Sequence, residues 1–239
     1  MPEELIWERP EPPSRPALTP LSRERIVAAA ITLADADGLT AVSLRKVAAE
    51  LDAGPMRLYG YLSTKEELLD LMVDAVYAEI PAPESGDWRA ALRSLAHRLR
   101  DAAHRHPWFA DLAGGRPSLG PHALAHMEGT LAALDGAPGF DHIDTVARAV
   151  ETVSAYAIGA IRKESAEWRA EATSGMDVRQ WQHAVGPYLT RALATGRYPT
   201  VAKLVRDAAH LSVDAVFDAG LEYVLAGVAA RLASAPRAD

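Results

Sequence analysis

The chain has 239 residues, 49% hydrophobic, 24% charged and 6% aromatic, enough apolar mass for one large domain or two small ones. It has no cysteine, which excludes disulfides, thiolate metal sites and cysteine nucleophiles. A net charge of -7 argues against indiscriminate coating of nucleic acid, yet leaves room for a small DNA-reading surface on an acidic body.

No uninterrupted apolar run approaches the length of a membrane span. The stretch from Met1 to Pro10 lacks the basic and then apolar regions of a secretory signal. The expectation is a cytoplasmic protein with no membrane partner. Residues 1–20 hold Pro2, Pro10, Pro12, Pro13, Pro16 and Pro20, a density that forbids helix and predicts an extended arm. Two readings of the arm stand: a plain tail, or one whose Arg9 and Arg15 touch DNA phosphates.

From Leu21 the pattern changes. Apolar residues recur at three and four, Ala and Leu abound, and period-two runs are missing, so the chain reads as all-α. Ser22 caps a helix to about Asp35 that Gly38 stops. Thr40 or Ser43 opens a short helix over 44–51, with Leu44, Val47, Ala48 and Leu51 facing inward. Asp52-Ala53-Gly54 turns the chain, and a second short helix starts at Pro55 and runs through Leu62. Ser63, with Glu66 three residues on, reads as a capping box that launches a helix through Ile80. Beyond Pro81, glycine and proline signals divide the rest into helices at about 87–105, 108–113, 119–134, 141–166, 177–195, 200–209 and 211–233. The organisation is an arm over 1–20, a three-helix module over 21–66, and a larger helical body over 67–239.

Two short helices joined by a tight turn, the second opening with proline, form a helix-turn-helix. Ala48 is small where the helices must cross, and the second helix shows polar and aromatic groups at its start. In this arrangement the second helix enters the major groove and the first crosses the backbone. Arg57, in the first turn of the second helix, has a guanidinium suited to guanine O6 and N7.

Residues 21–80 closely resemble the tetracycline-repressor (TetR) family of bacterial transcriptional regulators. The resemblance rests on Leu21 through Ala30, Ser43-Leu44-Arg45-Lys46-Val47-Ala48, and Leu58-Tyr59 followed six residues on by Lys65-Glu66-Glu67-Leu68-Leu69. The body resembles the family's C-terminal domain through His106-Pro107-Trp108, the Ala160-Ile161 helix and Gly196-Arg197-Tyr198-Pro199. The resemblance implies that Ser43 and Arg45 meet phosphates or base edges. It puts Pro55, Met56 and Arg57 in the first turn of the recognition helix. Tyr59 and Tyr61 become phosphate contacts, and Lys65 lies against the DNA backbone beside the free amides of a helix N-terminus. Plainer readings stand beside these: Tyr59 as a half-buried core aromatic, Arg45 as a solvated charge, Lys65 as first-turn surface. Three positions depart from the family pattern. Asp52 replaces a turn glycine and tolerates the left-handed region, Gly54 replaces a serine cap, and Gly60 removes a side chain from the DNA-facing helix.

Other chemistries find little support. His122 and His126 are four apart on one helical face, but no third ligand or His-Glu-x-x-His pattern accompanies them, and His104 and His106 cannot share a face. Gly114-Gly115-Arg116 lacks the lysine of a phosphate loop, and no Gly-x-Ser-x-Gly occurs. No metal, cofactor or enzymatic activity is expected.

The segments 141–166 and 211–233 carry apolar stripes, Ile143, Val146, Val150, Val153, Ala157 and Ile161 on one and Val213, Val216, Phe217, Leu221, Val224, Leu225 and Val228 on the other. Small residues at Gly159, Gly220 and Gly227 suit close helix approach. The resemblance implies a four-helix dimer interface here; intrachain core alone is the alternative. The leading expectation is a homodimeric repressor that binds an inverted-repeat operator in double-stranded DNA and is released by an unidentified small-molecule effector. An effector cavity is expected between the helices at 87–105, 119–134 and 141–166, with His97, His126, Met127, Tyr156, Trp168 and Trp181 as wall candidates chosen by helix position. The rival is a helical small-molecule-binding protein or enzyme that has lost DNA binding. Gly60 favours it; Arg45, Tyr59 and Lys65 oppose it.

Overall fold

The computed structural model describes residues 5–12, 20–84, 86–115, 118–209 and 211–234. Arg15, one of the two arm cations, lies outside the described residues. The described chain forms α-helices and one short 3-10 turn, and contains no strand.

The first unit is built from α1 (Arg23–Asp37), the 3-10 turn Leu39–Ala41, α2 (Leu44–Glu50) and α3 (Pro55–Leu58). Ser22 Oγ accepts from the Arg25 amide at the start of α1, and Gly38, at φ 77°, ends it. Ile26, Ala30, Val47, Ala48, Leu58 and Leu62 are fully buried, so α1 packs on the α2–α3 pair with Ala48 in the core between them. A larger side chain at Ala48 would force the two short helices apart. Asp52 adopts φ 48°, the left-handed turn residue expected of it.

Two local features differ from expectation. The recognition helix α3 ends at Leu58 rather than Leu62, because the following chain folds inward. The Leu58 carbonyl accepts from both Tyr61 and Leu62 amides, at 2.9 and 3.1 Å, and both side chains are buried. The cap of α4 (Lys65–Ala78) is Thr64, not Ser63: Thr64 Oγ1 accepts from Glu67 N at 3.1 Å. The Glu67 carboxylate reaches back to the Ser63 amide at 2.6 Å, so Glu67 fills the role expected of Glu66.

The body comprises α5 (Trp88–Arg105), α6 (Phe109–Ala113), α7 (Pro121–Ala132), α8 (Ile143–Ser174), α9 (Val178–Ala194), α10 (Pro199–Asp207) and α11 (Val213–Ala233). Its core is the α5–α8–α11 layer, where Leu92, Leu95 and Leu99 meet Val153, Ala157 and Ile161, and Phe217, Leu221 and Leu225 close the third side. Polar pairs zip α5 to α11 at intervals of three and four: Arg93–Glu222 at 2.6 Å, His97–Asp218 at 3.1 Å and Arg100–Asp214 at 2.7 Å. Arg100 also meets Glu164 of α8 at 3.1 Å, which ties all three helices together.

Helix α7 starts without a capping side chain of its own, since its cap residue is Gly120. The buried Asp74 of α4 supplies the missing acceptor, taking the Ala123 amide at 2.8 Å and facing His122 Nδ1 at 2.9 Å. A Cβ on Gly120 would overlap that carboxylate, so glycine and Asp74 belong to one device.

Helix α8 runs to Ser174, well past the expected end near 166. Residues 166–174 are all exposed, and with no glycine or proline to interrupt it the helix continues into solvent until Gly175, at φ 68°. Beyond it, α9 and α10 contain no buried residue.

Candidate nucleic-acid interface

The outer surface of the small unit is made by the start of α2 and by α3. Ser43 caps α2, its Oγ accepting from Lys46 N at 3.3 Å, so the hydroxyl expected at DNA already has a structural task. It is half-buried, while Arg45 and Lys46 project outward one turn further on. On α3, Pro55 at the first position fixes the entry angle without wasting an amide. Met56, Arg57 and Tyr59 are exposed, Met56 at 79% and Tyr59 at 51%, whereas Leu58 between them is fully buried. Three side chains thus point away from the core from a helix of four residues and its cap. The reading of Tyr59 as a half-buried core aromatic is set aside by its exposure.

Tyr61 requires a correction. The resemblance places it at a phosphate, yet it is 7% exposed and its hydroxyl donates to the Leu21 carbonyl at 2.8 Å. The ring serves to bolt the recognition helix to the start of α1. Lys65 is half-buried, and its ammonium donates to the Leu39 carbonyl at 3.4 Å, leaving donors for another acceptor.

A strap that no local signal announced braces this surface from behind. Residues 5–12 fold back on the start of α4, with Ile6 buried. The Arg9 guanidinium donates to Glu67 at 2.6 and 3.2 Å and to Ser63 Oγ at 3.1 Å. Arg23 of α1 in turn donates to the Arg9 carbonyl at 2.6 Å and the Tyr61 carbonyl at 3.1 Å. Burial pushes the Glu67 carboxyl up, but Arg9 and the Ser63 and Thr64 amides outweigh it and hold the group below its ordinary value. Arg9 therefore has a structural role at Glu67 rather than the free phosphate contact envisaged for the arm. The pair is separated by 58 positions, beyond the reach of any motif.

The six effector-wall candidates do not meet in one place. His97 and Tyr156 gather around Phe217, with ring centroids 5.4 and 5.7 Å from it, and the Tyr156 hydroxyl donates to the Phe217 carbonyl at 2.6 Å. Trp168 lies 5.2 Å from the His104 ring. His126 stands against Tyr77 at 5.3 Å and faces the Ile80 carbonyl at 3.2 Å, and burial lowers its pKa. Met127 and Trp181 are exposed. With His122 held by Asp74, the two α7 histidines have separate partners rather than a shared one.

Two concavities occupy other positions. One of about 500 Å³ lies between the strap, α4 and α6, lined by Trp7, Asp70, Val73, Tyr77 and Leu112 among others. The second, about 660 Å³, is a groove between the start of α8 and the end of α11, lined by Arg148, Thr152, Tyr223, Gly227 and Val228 among others. Along α11 the exposed side chains Val213, Val216 and Tyr223 form a stripe opposite the buried Phe217, Leu221 and Leu225. Ile143, on the apolar stripe expected of α8, is 60% exposed, while Val146, Val153, Ala157 and Ile161 are buried in the chain's own core. Of the three glycines expected to admit a partner helix, Gly220 is taken by the chain's own Tyr156, with which a Cβ would overlap, while Gly159 and Gly227 face open space.

A family model described as the tetracyclin repressor-like, C-terminal domain matches residues 80–232. The chain belongs to the tetracycline-repressor family. It is a DNA-binding transcriptional regulator, all-helical, with an N-terminal helix-turn-helix. It is 39% identical over 228 residues to the HTH-type transcriptional repressor DrrR1 of Streptomyces coeruleorubidus, covering 94% of this chain and 83% of that one. It is 28% identical over 220 residues to the class A tetracycline repressor protein from transposon 1721 of Escherichia coli, covering 90% and 93%. Among solved structures, apo ActR of Streptomyces coelicolor superposes with a TM-score of 0.76 at 30% identity, over 92% of this chain and all of that one. ActR in complex with actinorhodin gives 0.75 at 31% identity, over 90% and 99%. These TetR-family relatives are transcriptional regulators. No helix among the described residues is long and apolar enough to cross a membrane.

Proposed function

We propose that the chain acts in the cytoplasm as a homodimeric repressor that reads an inverted-repeat operator and leaves it when the body binds a small molecule. Residues 21–66 form the DNA-binding unit and residues 67–239 the effector-binding and dimerising one. The observation that carries the reading is the outward set Arg45, Met56, Arg57 and Tyr59 on a helix pair whose opposite face is fully buried. Arg57 reads a base edge. Arg45, Tyr59 and Lys65 position the module on phosphates, which fixes register without reading sequence.

Dimerisation is supported by the α8–α11 groove and by the exposed stripe beside it, because a second copy offers the same stripe across a two-fold axis. On α9 and α10 the side chains of Trp181, Tyr188, Val201 and Leu204 stand exposed, an apolar surface that a second copy would cover. Effector control is supported by the TetR family and by ActR, whose structures include complexes with actinorhodin and (S)-DNPA. The effector acts by population shift: it must bind the DNA-incompetent arrangement more tightly, or it changes nothing.

The test is operator affinity across a salt series, using a duplex from upstream of the protein's own gene and a scrambled control. Arg57→Ala is expected to cost about 1–3 kcal/mol on the operator and to relax specificity at one position in each half-site. Lys65→Ala is expected to weaken both duplexes alike and to reduce the salt slope by about one unit per lost contact per subunit. Equal losses by both variants on both duplexes would remove Arg57 from base readout.

A further inference from the structure

A DNA-binding regulator needs a joint between body and DNA module that carries the state of one to the other, and the role of that joint here rests on the operator-binding function proposed for the chain. The covalent joint is α4. Beside it, one side chain makes every hydrogen bond that links residues 20–64 to the body from Trp88 onward, among the described residues. That side chain is Asp35, near the end of α1. His106 Nδ1 lies 2.9 Å from one Asp35 carboxylate oxygen and 3.0 Å from the other. Trp108 donates its indole N–H to the same carboxylate at 2.7 Å. The second ring nitrogen, His106 Nε2, faces Glu79 at the end of α4 at 3.3 Å, and Glu79 also receives Arg105 of α5 at 3.2 Å. His106 is 8% exposed and Trp108 3%. The charged groups facing this knot are therefore Asp35 from α1, Glu79 from α4 and Arg105 from α5.

The donors and acceptors present make the knot depend on one proton. A neutral imidazole has one donor and one acceptor nitrogen, whereas a carboxylate only accepts. With a carboxylate at each nitrogen, only the imidazolium donates to both. The neutral ring sets a lone pair against one carboxylate and releases either α1 or α4. Such charge-assisted bonds are stronger than neutral ones, so the change is felt at the joint. The Trp108–Asp35 bond survives it and keeps the carboxylate in place.

We propose that His106, bridging Asp35 and Glu79 as an imidazolium, is a positioning residue for operator recognition: it pins the DNA module to the body, and loss of its proton loosens the pin. A loosened module must be ordered again on binding, which lowers affinity.

Operator affinity of the full-length dimer is measured from pH 6 to pH 8.5 for the wild type, His106→Gln and Asp35→Asn. The asparagine keeps an acceptor for Trp108 and removes the charge. Wild-type affinity is expected to fall at least threefold more over this range than that of either variant. In parallel, the Trp108 indole N–H resonance of 15N-tryptophan-labelled protein, assigned with Trp108→Phe, is expected to shift over the same range in the wild type and to stay put in His106→Gln. Parallel affinity profiles in all three proteins overturn the pin, as does a wild-type affinity that rises with pH relative to the variants. If His106→Gln fails to fold, the Asp35→Asn profile decides alone. A protein that binds no duplex at any pH removes the regulator reading and the role of the pin with it, whereas parallel profiles in a protein that does bind remove the pin only.

Discussion

Residues 21–62 and residues 176–209 are helical stretches of comparable size that satisfy their apolar faces in opposite ways. In the first, Ile26, Ala30, Val47, Ala48, Leu58 and Leu62 are fully buried against one another and against α4. In the second, no residue is buried, and Val178, Trp181, Tyr188, Val201, Leu204 and Val205 all stand exposed. Helix α10 is nevertheless amphipathic by its spacing, with Val201, Leu204 and Val205 on one side. An apolar stripe states that a face will be covered; it does not say by which chain. The small N-terminal unit covers its apolar faces within one polypeptide, whereas the apolar side chains of α9 and α10 stay exposed in a single chain.

The sharpest way to break this contrast is to charge each kind of face. Leu221 is 1% exposed in the α5–α8–α11 core, whereas Val216, on the same helix, is 49% exposed. Leu221→Asp is expected to abolish folding, since an unpaired buried carboxylate costs several kcal/mol. Val216→Asp is expected to give folded monomers. Circular dichroism with sedimentation velocity separates the two, and a wild type that sediments as a monomer at micromolar concentration would end the dimer reading.

A smaller effect compares the two stretches directly. Leu58→Ala empties a fully buried site in the DNA unit and is expected to cost about 2–5 kcal/mol in urea unfolding. Trp181→Ser removes a side chain that touches no core, and is expected to leave the secondary structure intact while raising the dimer dissociation constant. Were Trp181→Ser to destabilise an isolated monomer by as much as Leu58→Ala, α9 would have a hidden intrachain partner and the contrast would fail.

The smallest effect falls within the DNA unit, on two tyrosines two residues apart. Tyr61→Phe loses the buried bond to the Leu21 carbonyl, and stability should drop by about 1–2 kcal/mol with the salt slope unchanged. Tyr59→Phe is expected to leave stability within about 0.5 kcal/mol and to weaken operator binding. Reversed outcomes would return Tyr61 to the DNA surface.

The tyrosines also show how far the candidate site was legible. The family resemblance put Met56, Arg57 and Tyr59 at the DNA-facing positions, and all three are exposed. The same resemblance misplaced Tyr61, since α3 stops at Leu58 and the chain beyond it turns inward to bury the ring. The effector-wall candidates fared worse. Helix position alone put His97, His126 and Trp168 on one cavity, while the packing sends them to Phe217, Tyr77 and His104 respectively.

Signals confined to a turn or two were sufficient for the all-helical class, the order of helices, the Ser22 cap, the left-handed Asp52 and the inward face of Ala48. Each depends on atoms within a few residues, so neighbours in the chain decide it. Tertiary structure alone decided what lies between distant segments. Asp74 caps α7 from another helix, Arg9 locks onto Glu67, Gly220 yields its space to Tyr156, and Asp35 meets His106 across 71 positions. No periodicity encodes such pairs, because each carboxylate takes whichever donor the packed helices bring to it.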